Sequence, residues 1–435
     1  QWTWVSGPDG SYARPFIGIG GVADSPGGRA SSVMMPDSSG NLWLFGGYGY
    51  VDVGWEPFGQ KNDLWKYTIA TGVWSKVAGN SFSYVAGTYG TKGTGSTANI
   101  PGSRTDHGGW ADTSGNLWIF GGTGLDSASS VAAMNDLWKY NISTGQWTWM
   151  TGSNTVNHYG TYGTKGTAAA ANTPGTRNAM GAIQDGSGNA WIFGGGGMAA
   201  ASGGYLNDFW KYDPGTNQWT WIAGNNAANA NGTYGTKGTA STANIPGART
   251  NPVMWLDASG NIWLFGGGGY DGVGGIDVLN DLWKYDPVGN TWTWMTGKNT
   301  VAGAGTYGTK GVGSTANSPG ARYQATGWAD GSGNLWLFGG SAYDSVSGNG
   351  EINDLWKYNI AANTWTWVDG SNVVNQRGNH NSPVGSFIYG NTPGGRWKLG
   401  SGCVDTSGNF WLYGGLGYDA NGIRGYRNDL WKYKP

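Results

Sequence analysis

Short runs of Trp, Leu, Ile, Phe and Tyr punctuate a chain otherwise rich in Gly, Ser, Thr and Asn. Between residues 104 and 150 the order is Arg104, GGWADTSGNLWIFGG at 108–122, NDLWKY at 135–140, NISTG, and QWTWM at 146–150. Runs of this length, aromatic and β-branched and bounded by turn formers, predict strands. Four follow per unit, labelled a to d. D-x-S-G-N joins a to b, starting at Asp37, Asp112, Asp185, Asp257, Asp330 and Asp405, and supplies the residues of a tight hairpin.

The pattern recurs along the whole chain. NDLWKY stands at 62–67, 135–140, 280–285, 353–358 and 428–433, with NDFWKY at 207–212, spaced by 73, 72, 73, 73 and 75 residues. Four-stranded antiparallel sheets at a fixed period, none able to bury its faces alone, predict an all-β propeller of six blades. The blades are expected at 29–78, 104–150, 177–222, 249–295, 322–368 and 396–435. The chain begins QWTWVSG, a strand d without a, b or c, and ends NDLWKYKP, a strand c without d. Residues 1–7 are therefore expected to supply the outer strand of the last blade and close the ring, removing two exposed edges.

Composition narrows the function classes. Of 435 residues 84 are Gly without a three-residue period and 28 are Trp, which excludes collagen and argues against disorder. A net charge of −1 with 12% charged residues lacks the basic footprint of a nucleic-acid binder. No apolar run approaches the roughly 20 residues that span a bilayer. Cys403 is the single cysteine, so neither an internal disulfide nor a thiolate metal cluster can form within the chain. A start at Gln1 and a Gly/Thr/Asn/Ser-rich surface are read as those of a secreted or cell-surface protein.

The Gly-Gly pair that ends strand b (Gly46-Gly47, Gly121-Gly122, Gly194-Gly195, Gly266-Gly267, Gly339-Gly340, Gly414-Gly415), followed by a Tyr and a Trp, resembles the kelch repeat in all six units. The units exceed the usual ~50 residues, and the extra length sits in connections. The NDLWKY and GTYGTKG style is similar to bacterial secreted kelch-type proteins, often called galactose-oxidase-like from the fold. That resemblance implies a copper centre of two His, two Tyr and a Tyr–Cys crosslink. Only His107, His158 and His380 exist and Cys403 falls at a core position, so no residues carry the site over. D-x-S-G-N-x-W also resembles the Asp boxes of sialidases, which are structural turns; no arginine triad with a nucleophilic Tyr can be identified. Glu56 and Glu351 are the only glutamates, which leaves little for paired carboxylate chemistry.

Whatever recurs in every unit is assigned to the scaffold. Strands b, c and d take 23 of the Trp, and Trp110, Trp255 and Trp328 occupy the core position that holds Met35, Ile183 and Cys403 elsewhere. Cys403 is thus expected as a small buried hydrophobe. Only Trp55 and Trp397 remain off-pattern. The six Arg before strand a are expected to bind carbonyls or carboxylates between blades. The Asp of NDLWKY is expected to bond backbone N–H groups or to pair with Lys or Arg. TYGTKG, present in four d–a connections, is expected to be a self-packed loop whose Lys92, Lys165, Lys237 and Lys310 point to solvent.

Long connections, b–c of about 13–18 and d–a of about 20–30 residues, emerge on one face, and long loops on a rigid scaffold are where binding concentrates. Candidate ligand residues on that face are Trp55 and Glu56 in the b–c loop of blade one, and Trp397 with Lys398 in blade six. The residues that ring the channel mouth add Asp106, His107, Asn178, Asn251, Tyr323 and Gln324. Exposed Trp beside polar groups suits stacking on a sugar or anchoring a protein. The expected function is a non-catalytic extracellular kelch propeller that binds a glycan or protein partner. Self-assembly into an extracellular array and a carbohydrate-active enzyme are the alternatives. No cofactor is expected; calcium in the Asp-rich loop 269–277 is the one metal considered, without a spaced ligand pattern.

Overall fold

The computed structural model describes residues 1–7, 25–50, 58–379, 390–400 and 402–435. Among these, all regular structure is strand. Blade 1 orders Val33–Pro36, Asn41–Phe45, Leu64–Thr68 and Val73–Ala78 as a, b, c, d, all antiparallel, and the same order recurs in the other units. In blade 6, Gly402–Val404, Phe410–Tyr413 and Leu430–Tyr433 are followed by Trp2–Ser6, with Trp2 opposite Tyr433 and Trp4 opposite Trp431. Strand a of blade 1 contacts strand a of blade 2 on one side and of blade 6 on the other.

The core lies between blades. One cluster joins Val33, Met35, Trp43 and Phe45 of blade 1 to Leu117, Ile119 and Trp138 of blade 2, and five more are built alike. Period-2 alternation sends successive side chains to opposite sheet faces, and each face meets a neighbour. Trp110, Trp255, Trp328 and Cys403 are all buried here. Each Asp box accepts two backbone N–H groups and, as in blade 2, the Trp118 indole N–H at 2.7 Å.

The Arg and Asp of each unit form a buried clamp. Arg104 forks onto Asp136 at 2.7 and 2.8 Å with neither side chain exposed, and all six units repeat the pair. Asp136 also accepts the Trp138 indole N–H and the Tyr89 hydroxyl, both at 2.7 Å. The pairing lies within one unit, not between blades as expected. What crosses the seam is the Arg backbone: Arg104 N–H donates to the Lys61 carbonyl, and its own carbonyl accepts from Gly47. Gly47 sits at φ 93°, where a Cβ would lie 2.8 Å from the Ala30 carbonyl oxygen, so the Gly-Gly pair is required by approach and by backbone sign alike.

Two connections differ from expectation. The b–c segment is a hairpin extension: Ala190–Met198 pairs with Gly203–Asp213 through the tip, and Ile262–Tyr270 with Ile276–Asp286. Elsewhere it forms a separate short sheet, such as Thr123–Leu125 between Val131–Ala133 and Arg104–Thr105. The d–a segments that carry TYGTKG run along the outer strand of the next blade, Ser96 N–H reaching the Trp147 carbonyl at 3.1 Å and Ser241 the Trp292 carbonyl at 3.2 Å. They cover sheet edges rather than build a face. Their lysines do not point free into solvent: Lys92, Lys165, Lys237 and Lys310 each lie 4.3–4.4 Å from the centroid of a strand-d Trp and donate to a backbone carbonyl.

Candidate binding mouth

Three consecutive residues after each Arg do three different jobs. The first (Ala30, Thr105, Asn178, Thr250, Tyr323, Trp397) pairs with the extension of strand b. The third (Ser32, His107, Met180, Pro252, Ala325, Leu399) is buried, and His107, Met180, Ala325 and Leu399 pack against the preceding blade. The second (Ser31, Asp106, Ala179, Asn251, Gln324, Lys398) is left-handed in every unit, with φ between 52° and 57°. A non-glycine residue there costs about 1–2 kcal/mol and persists only where surroundings over-determine it. Here they do. Ser31 N–H donates to the Lys398 carbonyl, Asp106 to Ser31, Ala179 to Asp106 and Asn251 to Ala179, at 2.5–3.2 Å, and Leu399 N–H reaches the Gln324 carbonyl at 3.3 Å. The result is a collar of backbone hydrogen bonds around the axis.

A cavity of about 110 Å³ lies at the collar, lined by its second and third residues from all six units. Two buried polar atoms of the lining residues, Ser31 Oγ and Gln324 Oε1, have no hydrogen-bond partner among the described residues, whereas the buried His107 ring interacts with the Phe45 backbone.

Beside the cavity Trp397 is half-buried, 5.7 Å from Tyr323 in an edge-to-face pair, with Lys398 Nζ 5.3 Å from its own ring centroid. The Trp397 indole nitrogen is also buried without a partner. Glu351 is buried and accepts from Arg424 Nε at 2.7 Å. Burial raises the Tyr323 hydroxyl above its usual pKa. Asn178 is held aside, its Nδ2 donating to Thr123 Oγ1 at 2.7 Å. Trp55 and Glu56 lie outside the described residues, as does His380.

Asp106 and His107, adjacent in sequence, are separated in function by the collar. Asp106 faces the mouth, whereas His107 is wedged beside Phe45, 5.4 Å between ring centroids. Burial first, and the Arg104 guanidinium second, lower the His107 pKa to about 3. It is neutral at physiological pH. Burial raises the Cys403 thiol well above its usual value, as for a core residue and not a nucleophile. In the loop considered for calcium, Asp271 is buried and its carboxylate is taken up by the N–H groups of Val273, Gly275 and Val301. Among the described residues no group of three or more His, Cys, Asp or Glu is placed to hold a metal.

Sequence reading placed these residues around the mouth but missed the left-handed backbone collar they form. Its residues share no chemistry, and only Asp106 and Asn251 belong to types enriched at positive φ. The hairpin extensions had a faint signal in the alternating GYGY and GGGGY after strand b.

No curated protein is significantly similar to the chain. The Kelch motif family model matches residues 189–223, which hold strands b, c and d of blade 3 with the hairpin extension between b and c. With six units of the same four-stranded sheet, Gly-Gly turn and Arg–Asp clamp, the fold is that of a kelch-repeat β-propeller.

Proposed function

We propose that this propeller is an extracellular or cell-surface binding module, without catalysis, whose mouth takes a polyhydroxylated ligand, a glycan. The observation that carries the reading is an axial cavity lined by polar side chains of the collar, Ser31, Asn251 and Gln324 among them, with the Tyr323–Trp397 aromatic pair beside it. The lining mixes neutral amide and hydroxyl groups with one carboxylate, Asp106, and one ammonium, Lys398, and all of these can hydrogen-bond sugar hydroxyls. The Tyr323–Trp397 pair beside the cavity supplies an apolar shelf for a sugar face. The low charge and the Thr/Gly/Asn-rich surface support the location, and among the described residues no helix is long and apolar enough to cross a membrane. A glycan array followed by calorimetry tests it: binding at micromolar to millimolar Kd is expected, lost in Trp397→Ala and weakened about tenfold or more in Gln324→Leu. An array without any binder, or binding that both variants retain, overturns the reading.

A protein partner is the second reading, favoured by exposed apolar residues at the tips of the b–c hairpins: Val131, Tyr205, Val273, Ile276, Val346 and Ile423. Here Val273→Asp with Val346→Asp abolishes partner capture and leaves glycan binding intact. Self-assembly through residues 1–7 predicts instead that their deletion changes the mass measured by light scattering.

A further inference from the structure

Beside the collar, each unit sets three residues in a row across its b–c extension, one from the strand after the Arg and one from each arm of the hairpin. In blade 6 the row is Trp397, Leu416 and Tyr426, all half-buried. Directly opposed residues share a sheet face, so the three form one apolar surface about 10 Å long. Tyr323 of blade 5 continues it at one end, 5.7 Å from Trp397, and Tyr48 of blade 1 at the other, 5.7 Å from Tyr426. Blades 3 and 4 are built differently. Their rows are Asn178, Gly196, Tyr205 and Thr250, Gly268, Val278, with glycine where blades 1, 2 and 6 carry Tyr48, Thr123 and Leu416.

Glycine inside a strand weakens it and marks a bulge, a close backbone approach or a ligand. The bulges of these two strands lie before the glycines, between Phe193 and Gly195 and between Phe265 and Gly267. Neither Gly196 nor Gly268 has a left-handed backbone. Among the described residues, a Cβ on Gly268 would meet only Thr250 Oγ1, at 3.8 Å, and one on Gly196 only the side chains of Asn178 and Thr250, at 3.2 and 3.5 Å. The adjacent Gly197 and Gly269 are compelled, because a Cβ there would collide with the Thr176 and Ala248 carbonyl oxygens. Gly196 and Gly268 instead keep open a half-buried bay walled by Asn178 and Thr250. The strand that carries Gly268 contacts Arg322–Tyr323, so the bay runs on to the apolar surface.

We propose that Gly196 and Gly268 set the specificity of the mouth: they leave room beside Asn178 and Thr250 for a second residue of an oligosaccharide whose first residue stacks on Trp397. The inference rests on the glycan reading above. The collar cavity of about 110 Å³ is small against the roughly 300–1,000 Å³ of small-molecule sites, so the sugar rings lie between the rows and not within the collar. The surface from Tyr323 to Tyr48 is longer than one pyranose ring and offers aromatic faces along its length. In the bay, Asn178 Nδ2 is already donated to Thr123 Oγ1, and the Thr250 hydroxyl donates to the Gly268 carbonyl at 3.3 Å. What both side chains still offer is an acceptor oxygen, which suits the hydroxyl donors of a sugar.

The test is calorimetry of the intact protein with glucose, galactose, mannose and N-acetylglucosamine, each beside the linear tetrasaccharide of the same sugar. At least one tetrasaccharide is expected to bind about tenfold or more tighter than its monosaccharide. Gly196→Thr combined with Gly268→Leu installs the residues that blades 2 and 6 carry at this position. It is expected to lose that gain, keep the monosaccharide affinity and leave the melting temperature equal or higher. Gly268→Ala adds a single methyl group and is expected to fold as wild type and lose part of the gain, which keeps the test decisive if the double variant folds poorly. Trp397→Ala is expected to weaken monosaccharide and tetrasaccharide alike. Equal affinity for the two lengths, or a folded double variant that keeps the full gain, overturns the role of the bay and leaves the mouth reading standing; the absence of all binding overturns both.

Discussion

Replacing His107 by leucine makes the pH dependence of stability a direct reading of the wedge position. The substitution follows the fold's own usage, because the equivalent residue of blade 6 is Leu399, buried at the same place. In the folded chain His107 binds a proton only near pH 3, against the ordinary value of 6.5. The unfolded chain therefore holds the extra proton throughout that interval, and protonation favours unfolding. Stability is full above the unfolded pKa and is lost as the pH falls. One pKa unit is worth about 1.4 kcal/mol, and integration from pH 6 to pH 4 gives a loss of about 2.5 kcal/mol from this residue. The assay is urea unfolding followed by tryptophan fluorescence at pH 7, 6, 5 and 4. Wild type is expected to lose about 2.5 kcal/mol more than His107→Leu between pH 6 and 4, the carboxylates with lowered pKa contributing equally to both. Parallel curves for the two proteins would refute the claim that His107 is folded in its neutral form.

The clamp separates charge from hydrogen bonding. Asp281→Asn leaves Arg249 buried without its counter-charge and is expected to cost about 3–5 kcal/mol, whereas Tyr234→Phe removes one donor from a carboxylate that retains Arg249 and Trp283 and costs about 1.5 kcal/mol. Equal losses in denaturant would contradict the clamp. For Asp429, burial would raise the carboxyl, but Arg396 more than offsets it and the pKa falls below 3.8. This contribution is present above the unfolded pKa and lost as the pH falls below about 4, so an acid titration of Arg396→Met should lack part of the wild-type loss there. Lys237→Met removes an ammonium 4.3 Å from the Trp294 centroid and is expected to cost about 0.5–1 kcal/mol by thermal melting, with no effect on binding at the mouth.

The sequence by itself determined the repeat and therefore the fold. Strand length, turn chemistry and the fixed spacing of NDLWKY each act within a few residues, and an apolar run that cannot bury itself dictates packing against its own copy. It also separated scaffold tryptophans from Trp397. Partnerships across a unit were beyond it. The Arg104–Asp136 fork spans 32 residues, and the lysine of TYGTKG meets a tryptophan in the following blade. Only the tertiary structure decided that the residues after each Arg divide into pairing, collar and wedge. A left-handed backbone is imposed there by hydrogen bonds from neighbouring blades, which no local sequence preference encodes. The buried, unpartnered Ser31 Oγ and Gln324 Oε1 are likewise invisible in sequence, because a missing partner is a fact about space and not about chain order.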